Sequence, residues 1–429
     1  NILGKIGSGL GSGGRHYLSF SGGFTVAERG SPGPITFLSD SARLKDERFL
    51  TIIGYDWQES DQAHLSARFG HQRYWENYRN PNEFFPEDDT HQIYQTSFSA
   101  NQLLVLADWF STNLGLESYL EEAKSSSVGG PGRWSNAPFL EVSFKGRGWT
   151  VNAGLRYDLL RNTGLGPDSV DITSTYGAFS PKFTLVFNPV SLISFYLGAN
   201  RSFRAPTFNE LWWPQTGWSG GNPRLEPEWA TGFDGGVALN MGEDMFVRLG
   251  GYRSQLSNLI QWQEVREFFW QPVNVARATI TGVELEGRGR FRFLDLNAGA
   301  TYQVCRSVGN DTGAARPSER DLPYRPRLTT RIGTGLNFEH RGLNIARLTL
   351  GLRAVSPRFT NSDNSDTLPG YALLDVEVDC APLRLFWNIR RWQPRVILGI
   401  KNLFDRQYQE IKYYPLPGRE IYFEVGAGW

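Results

Sequence analysis

Cysteine is nearly absent from this chain: 429 residues hold only Cys305 and Cys380. Two distant thiols without metal-type spacing exclude a disulfide scaffold and a zinc site. Net charge is absent as well, with 44 basic residues balancing 44 acidic ones, which argues against a nucleic-acid partner. No apolar run approaches the roughly 18 residues of a transmembrane helix. Mean hydropathy is −0.38, so any membrane-spanning structure must be built from strands. Catalytic signatures are missing too. His16, His64, His71, His91 and His340 follow no HExxH spacing, and no GxSxG elbow occurs, so no enzyme is expected and no cofactor is required. Lysine is scarce, 7 against 37 arginines. That bias suits a wet interior cross-linked by guanidinium and carboxylate groups, and genomic base composition explains it equally well. Asn1 is not preceded by a signal peptide, so the chain reads as mature, trimmed or incompletely represented.

What is present is alternation. In Arg419 to Trp429 (REIYFEVGAGW), Ile421, Phe423, Val425, Ala427 and Trp429 share one strand face. Glu420, Tyr422, Glu424, Gly426 and Gly428 share the other. This ending resembles outer-membrane barrels, whose last strand has a lipid face and a lumen face and closes on an aromatic residue, here Phe423 and Trp429. The pattern recurs in Trp149 to Asp158, Leu294 to Val304, Arg327 to Phe338, Ala372 to Asp379 and from Val396 onward. Connections alternate in length. Short ones include Glu59 to Gln62, Lys145 to Gly148, Asn188 to Val190, Gly242 to Asp244 and Glu339 to Gly342. Long ones include Gly30 to Glu47, Asn80 to Thr90, Ser125 to Ser135, Asn162 to Ser174, Thr207 to Pro227, Val308 to Asp321 and Asn361 to Gly370. Tight periplasmic turns opposite large extracellular loops are a barrel's asymmetry. The pattern predicts an all-β transmembrane antiparallel barrel with about 18 to 19 strands in this chain. An odd count would put Asn1 on the extracellular side, so part of the barrel is expected to lie outside the chain.

Several segments together resemble TonB-dependent outer-membrane receptors. They are Ser202 to Leu211 (SFRAPTFNEL), Gly221 to Glu228 (GNPRLEPE), Asn274 with Gly282 to Glu286 (GVELE), Leu322 to Arg327 (LPYRPR), Leu368 to Tyr371 (LPGY), Lys401 to Tyr408 (KNLFDRQY) and Pro415 to Arg419 (PLPGR). Each is weak alone, and their order matches the family's. Gly30 to Phe37 (GSPGPITF) with Ala42 to Leu50 is similar to cobalamin-receptor-like members. The resemblance implies a barrel of the roughly 22-stranded type whose lumen holds a plug. It also implies outer-membrane lipid around the barrel, a scarce small-molecule nutrient such as cobalamin or a siderophore chelate, and energy from the TonB complex. Residues 1–429 read as the barrel domain, incomplete at the N-terminus and without a recognised plug, which is then separate, unseen or lost. A passive porin and a structural subunit of an envelope assembly are the alternatives. A large steady conductance would mark the first, and stoichiometric protein partners without uptake the second.

Two kinds of candidate site remain. Glu87, Asp88 and Asp89 in one loop, and Asp363 with Asp366 in another, offer oxygen ligands for Ca²⁺, although solvated loop tips use the same residues. Trp212, Trp213, Trp218 and Trp229 surround the NPRLEPE segment, and Phe268, Phe269 and Trp270 mark the next long loop. Of these, Trp212, Trp213, Trp218, Phe269 and Trp270 are the candidate ligand contacts. Exposed rings stack on flat ligands or sugars, and interfacial girdles and loop packing employ them too.

Overall fold

The computed structural model describes residues 2–10, 15–31, 38–81, 86–165, 170–275, 277–309, 318–340, 343–380 and 393–428. The closing residue Trp429, most of the GSPGPITF segment and the turn at residues 341–342 lie outside these. Two compact units divide the chain: Asn1–Leu185 with Ala199–Thr231 and Leu256–Arg277, and Val186–Gly198 with Gly232–Gln255 and Ala278–Trp429.

In the first unit, β1 (Ile2–Leu10), β2 (His16–Gly30), β3 (Arg43–Ser60), β4 (Ala63–Asn80), β5 (Glu87–Ala107), β6 (Phe110–Ser125), β7 (Gly132–Gly146) and β8 (Trp149–Leu165) form an up-and-down meander. Each strand pairs antiparallel with the next. Tight reversals at residues 61–62, 108–109 and 147–148 join them at one end. Strands β9 (Asp171–Val190), β10 (Ile193–Arg204), β11 (Glu228–Asn240) and β12 (Met245–Ser257) contribute residues to both units, with helix α1 (Phe208–Trp212) between β10 and β11. The hairpin β13 (Leu259–Arg266) and β14 (Phe269–Val275) belongs to the first unit.

The second unit continues with β15 (Arg277–Phe291), β16 (Leu294–Gly309), β17 (Ser318–Asp321), β18 (Leu328–His340), β19 (Leu343–Val355), β20 (Arg358–Phe359), β21 (Thr367–Leu368), β22 (Tyr371–Cys380), β23 (Gln393–Lys401), β24 (Gln409–Ile411), β25 (Tyr414–Pro415) and β26 (Glu420–Gly428). Its ladder runs β16–β18–β19–β22–β23–β26, antiparallel throughout. Twenty strands belong to one sheet. Because β17 and β18 both pair with β16, they are one interrupted strand, and nineteen strand runs remain among the described residues.

Alternation separates the two faces of each strand. Leu114, Leu116 and Leu120 on β6, Leu155 and Tyr157 on β8, and Ile421, Phe423 and Val425 on β26 are all exposed. A soluble protein would not expose such a band, and a lipid-facing wall requires it. Positions of opposite parity carry ion pairs. Both terminal oxygens of Asp56 accept from Arg68 at 2.8 and 2.9 Å. Arg156 lies between Glu117 at 2.6 Å and Asp158 at 2.9 Å. In the second unit Asp295 takes Arg347 at 2.8 Å and Arg290 at 3.1 Å. Arg156 meets two carboxylates and Asp295 two arginines, multi-donor pairing that lysine's compact ammonium would do less well. Aromatic groups gather at the tight-turn end: His16 stacks on Trp57 with centroids 5.8 Å apart, and Phe110 on Phe144 at 4.9 Å. These match an interfacial girdle.

The strands outrun the lengths expected from sequence. β5 alone has 21 residues, about 70 Å at 3.4 Å per residue, whereas a span needs only about 9 to 11. Polar cross-strand pairs continue the ladder where apolar alternation stops, as in Gln72 to Gln95 (2.8 Å) and Asn77 to Asp88 (2.7 Å). Consequently the long connection sought over Asn80 to Thr90 shrinks to residues 81–86, and Asp88 and Asp89 are strand residues. Likewise the turn placed at Asn188 to Val190 is strand, with the reversal at residues 191–192.

Candidate functional site

The connection from β10 to β11 is fastened rather than loose. Thr207 caps α1 in a capping box: its hydroxyl accepts from the Glu210 N–H at 3.2 Å, and the Glu210 carboxylate accepts from the Thr207 N–H at 2.7 Å. Arg204 donates to both Glu210 oxygens at 3.0 Å and to both Glu228 oxygens at 2.7 and 2.8 Å. The Glu228 carboxylate also accepts from the Ile260 N–H at 2.7 Å, which ties the start of β13 to the start of β11. Asn222 donates to the Pro272 carbonyl at 3.0 Å. Asn274 accepts from the Glu226 N–H and donates to the Glu226 carbonyl, both at 2.8 Å. Beneath these bonds Leu211, Trp212, Leu225 and Ile260 form a buried cluster, covered by Val128, Ile172 and Phe208. A Cβ on Gly221 would stand 2.6 Å from the Trp213 nitrogen and 2.7 Å from the Leu211 carbonyl oxygen, so only glycine fits this approach. Residues of SFRAPTFNEL and GNPRLEPE thus hold one loop to another.

That fastening sorts the candidate aromatics. Trp212 and Phe269 are 5% exposed, the first in the cluster and the second beneath the Arg266 guanidinium at 4.1 Å. Trp213 is half-buried, and its indole N–H donates to the Ser219 hydroxyl at 3.2 Å. Trp218 and Trp270 remain open at 71% and 49% exposure. Their backbones are locked together, Trp270 N–H to Trp218 carbonyl at 2.7 Å. Trp262 and Phe268 add exposed rings to the same hairpin. Alternation within Leu259 to Arg266 could have marked Trp262. Phe268 to Trp270 lie in a two-residue hairpin turn and its following strand rather than a long loop. Phe268 sits at φ 59°, a left-handed conformation that costs a bulky residue about 1–2 kcal/mol. Beside Trp212, Trp213, Gln215, Gly221 and Pro223 is a cavity of about 200 Å³. The buried Trp212 indole N–H has no acceptor among the described residues.

Comparison with known proteins decides the family. The barrel family described as "TonB dependent receptor-like, beta-barrel" matches residues 4–403. The chain belongs to the TonB-dependent receptors. This is an outer-membrane receptor and transporter family, not an enzyme class. A vitamin B12 transporter BtuB of Vibrio vulnificus is 24% identical over 245 residues, 55% of this chain and 35% of that protein. A second, from Photobacterium profundum, is 23% identical over 324 residues, 74% of this chain and 47% of that protein. The chain therefore spans between a third and a half of the length of these relatives. Among solved structures, the FrpB iron transporter from Neisseria meningitidis (F3-3 variant) superposes with TM-score 0.77 at 15% identity, covering 99% of this chain and 71% of that one. At that identity the likeness concerns the fold.

Four of the acidic candidates, Asp88, Asp89, Asp363 and Asp366, have hydrogen-bond partners. Asp88 accepts from Asn77 at 2.7 Å and Asp89 from Ser126 at 2.9 Å. As neighbours on β5 they point to opposite faces. Asp363 accepts from the Ser365 hydroxyl at 3.0 Å, while Asp366 accepts from Lys412 at 2.7 Å. Among the described residues no three His, Cys, Asp or Glu side chains converge as metal ligands. Lys412 holds the Asp366 carboxyl below the usual range. Burial alone would raise Glu410, but hydrogen bonds from Arg353 and Tyr371 more than offset it and leave this carboxyl lowered as well. A lowered folded-state pKa contributes stability in full above the ordinary carboxylate range, and the contribution is lost as pH falls through the lowered value. Amides of residues 360–367 and 409–412 should therefore exchange with solvent faster at about pH 3 than at about pH 6, after correction for intrinsic rates. Equal protection at both would refute the coupling.

Proposed function

We propose that this barrel belongs to an outer-membrane receptor that binds a scarce metal-chelate nutrient of cobalamin type at its long loops and admits it through a plug-gated lumen. Energy would come from the TonB complex acting on the plug, as the family name implies. The observation that carries the reading is the pair Trp218 and Trp270, two open indole faces on a loop and a hairpin fastened to each other. Rings held rigidly in advance lose little entropy when a flat ligand stacks on them. The Trp212 N–H beside the cavity, without an acceptor among the described residues, offers a donor for a ligand carbonyl or amide. Two vitamin B12 transporters among the relatives favour a corrinoid, and the iron transporter among the structures keeps ferric chelates in view.

Outer membranes carrying the whole receptor should bind radiolabelled cyanocobalamin, and the W218A/W270A variant should bind it about 10- to 100-fold more weakly, as for loss of about 1.4–2.8 kcal/mol. Unchanged affinity in the variant would remove the aromatic pair from the site. Binding of a ferric siderophore with no cyanocobalamin binding would replace the corrinoid with an iron chelate.

A further inference from the structure

One face of the β13–β14 hairpin is organised beyond the open pair Trp218 and Trp270. Register sets Ile260 opposite Asn274, Trp262 opposite Pro272 and Glu264 opposite Trp270, and alternation puts these six side chains on the same face. At its root the face is closed, with Ile260 in the buried cluster. Toward the turn it opens: Trp262 is 40% exposed and Trp270 49%. Pro272, next to both, is fully buried, so the two indoles flank a closed floor.

Both backbone groups of Trp270 point away from β13. Its N–H donates to the Trp218 carbonyl at 2.7 Å, and its carbonyl accepts from the Gly220 N–H at 3.1 Å. Glu264 and Trp270 are therefore a non-hydrogen-bonded pair, the kind whose side chains stand closest. Pro272, which has no N–H to give β13, keeps the same alternation opposite Trp262.

Glu264 brings the single charge of this face. One of its carboxylate oxygens accepts from the Phe268 N–H at 2.7 Å, which fastens the turn where Phe268 has φ 59°. Among the described residues no cation pairs with Glu264. Arg266 follows the bulge after Glu264 and covers Phe269 at 4.1 Å, on the opposite face. The other charges of these segments, Arg224, Glu226 and Glu267, are exposed. Glu226 accepts from the Asn258 amide at 3.2 Å.

We propose that Trp262 and Glu264 make this site selective for an uncharged ligand whose flat apolar body is fringed with carboxamide N–H donors, against the same body fringed with carboxylates. The inference rests on the receptor reading above and concerns which ligand that site accepts. Indoles take the apolar body by stacking. The second Glu264 oxygen accepts a charge-assisted bond from a carboxamide N–H, whereas it repels a carboxylate brought to the same place. Such a repulsive element separates ligands that stack equally well. Because Glu264 is exposed, added salt should weaken the separation.

The test uses outer membranes carrying the whole receptor and radiolabelled cyanocobalamin, with unlabelled cyanocobalamin or its monocarboxylic acid derivatives as competitors. Wild type should prefer the amide form about tenfold at low salt and clearly less at about 0.5 M sodium chloride. E264Q keeps an oxygen for the Phe268 N–H and removes only the charge. It should bring the two forms to within about twofold of each other while holding cyanocobalamin affinity within about threefold of wild type. W262A should weaken both forms about tenfold and leave the preference in place. Equal affinity of wild type for the two forms, an unchanged preference in E264Q, or unchanged affinity in W262A would overturn the proposal and leave the corrinoid reading standing. A wild-type receptor that binds an anionic ferric chelate and no cyanocobalamin would overturn that reading and this selectivity together.

Discussion

Arg204→Gln should detach the connection between β10 and β11 and take ligand binding with it. Arg204 bridges two carboxylates whose side chains are only 14% and 15% exposed, so the substitution leaves Glu210 and Glu228 facing each other without a counter-charge. Breaking a buried pair costs roughly 3–5 kcal/mol. Arg204 is itself 42% exposed, and solvent screening brings the expected local cost to about 2–3 kcal/mol. The loss should be local. The Ile260 amide and those of α1 should lose protection in hydrogen exchange, while amides of β3 to β6 keep theirs. Nutrient affinity should fall at least tenfold because Trp218 and Trp270 are positioned through the same network. Wild-type protection at Ile260 in the variant would show that the buried cluster alone holds the loop.

Phe423→Arg should impair assembly of the barrel wall. Phe423 lies near the middle of β26, 64% exposed, opposite the exposed Leu398 on β23. An arginine at mid-depth on a lipid face costs about 2–4 kcal/mol. The variant should show a clearly smaller heat-modifiable folded fraction than Phe423→Leu when both are refolded into the same bilayer. Tyr422→Phe is the control on the other face. Its hydroxyl donates to Glu377 at 2.6 Å, so a polar bond is lost without bringing charge into lipid, and the folded fraction should stay near wild type. Equal folding of Phe423→Arg and Phe423→Leu would mean that this face does not meet lipid.

The wall of this protein was legible in its sequence because period-2 alternation acts residue by residue. Ile421, Phe423 and Val425 fall on one face wherever the strand lies, and the spans over Trp149 to Asp158 and Leu294 to Val304 fall inside β8 and β16. The ends were less legible, since polar ladders such as Asn77 with Asp88 carry no apolar signal. Helix α1 was hidden inside an expected loop because five residues are too few to show a helical period.

The site followed a different rule. Sequence marked Trp212, Trp213, Trp218, Phe269 and Trp270 as one aromatic group, and nothing local distinguishes them. Trp212 is buried because Leu225 and Ile260 return to it from later in the chain, whereas the later Trp270 reaches only the Trp218 backbone and leaves its ring open. In the same way Asp366 became an ion-pair partner only when Lys412, 46 residues away, arrived beside it. Composition and alternation determined by themselves that this chain builds a strand wall with a wet face and an oily one. Only tertiary structure decided which rings and carboxylates stay free for a ligand, because burial and pairing depend on residues distant in sequence.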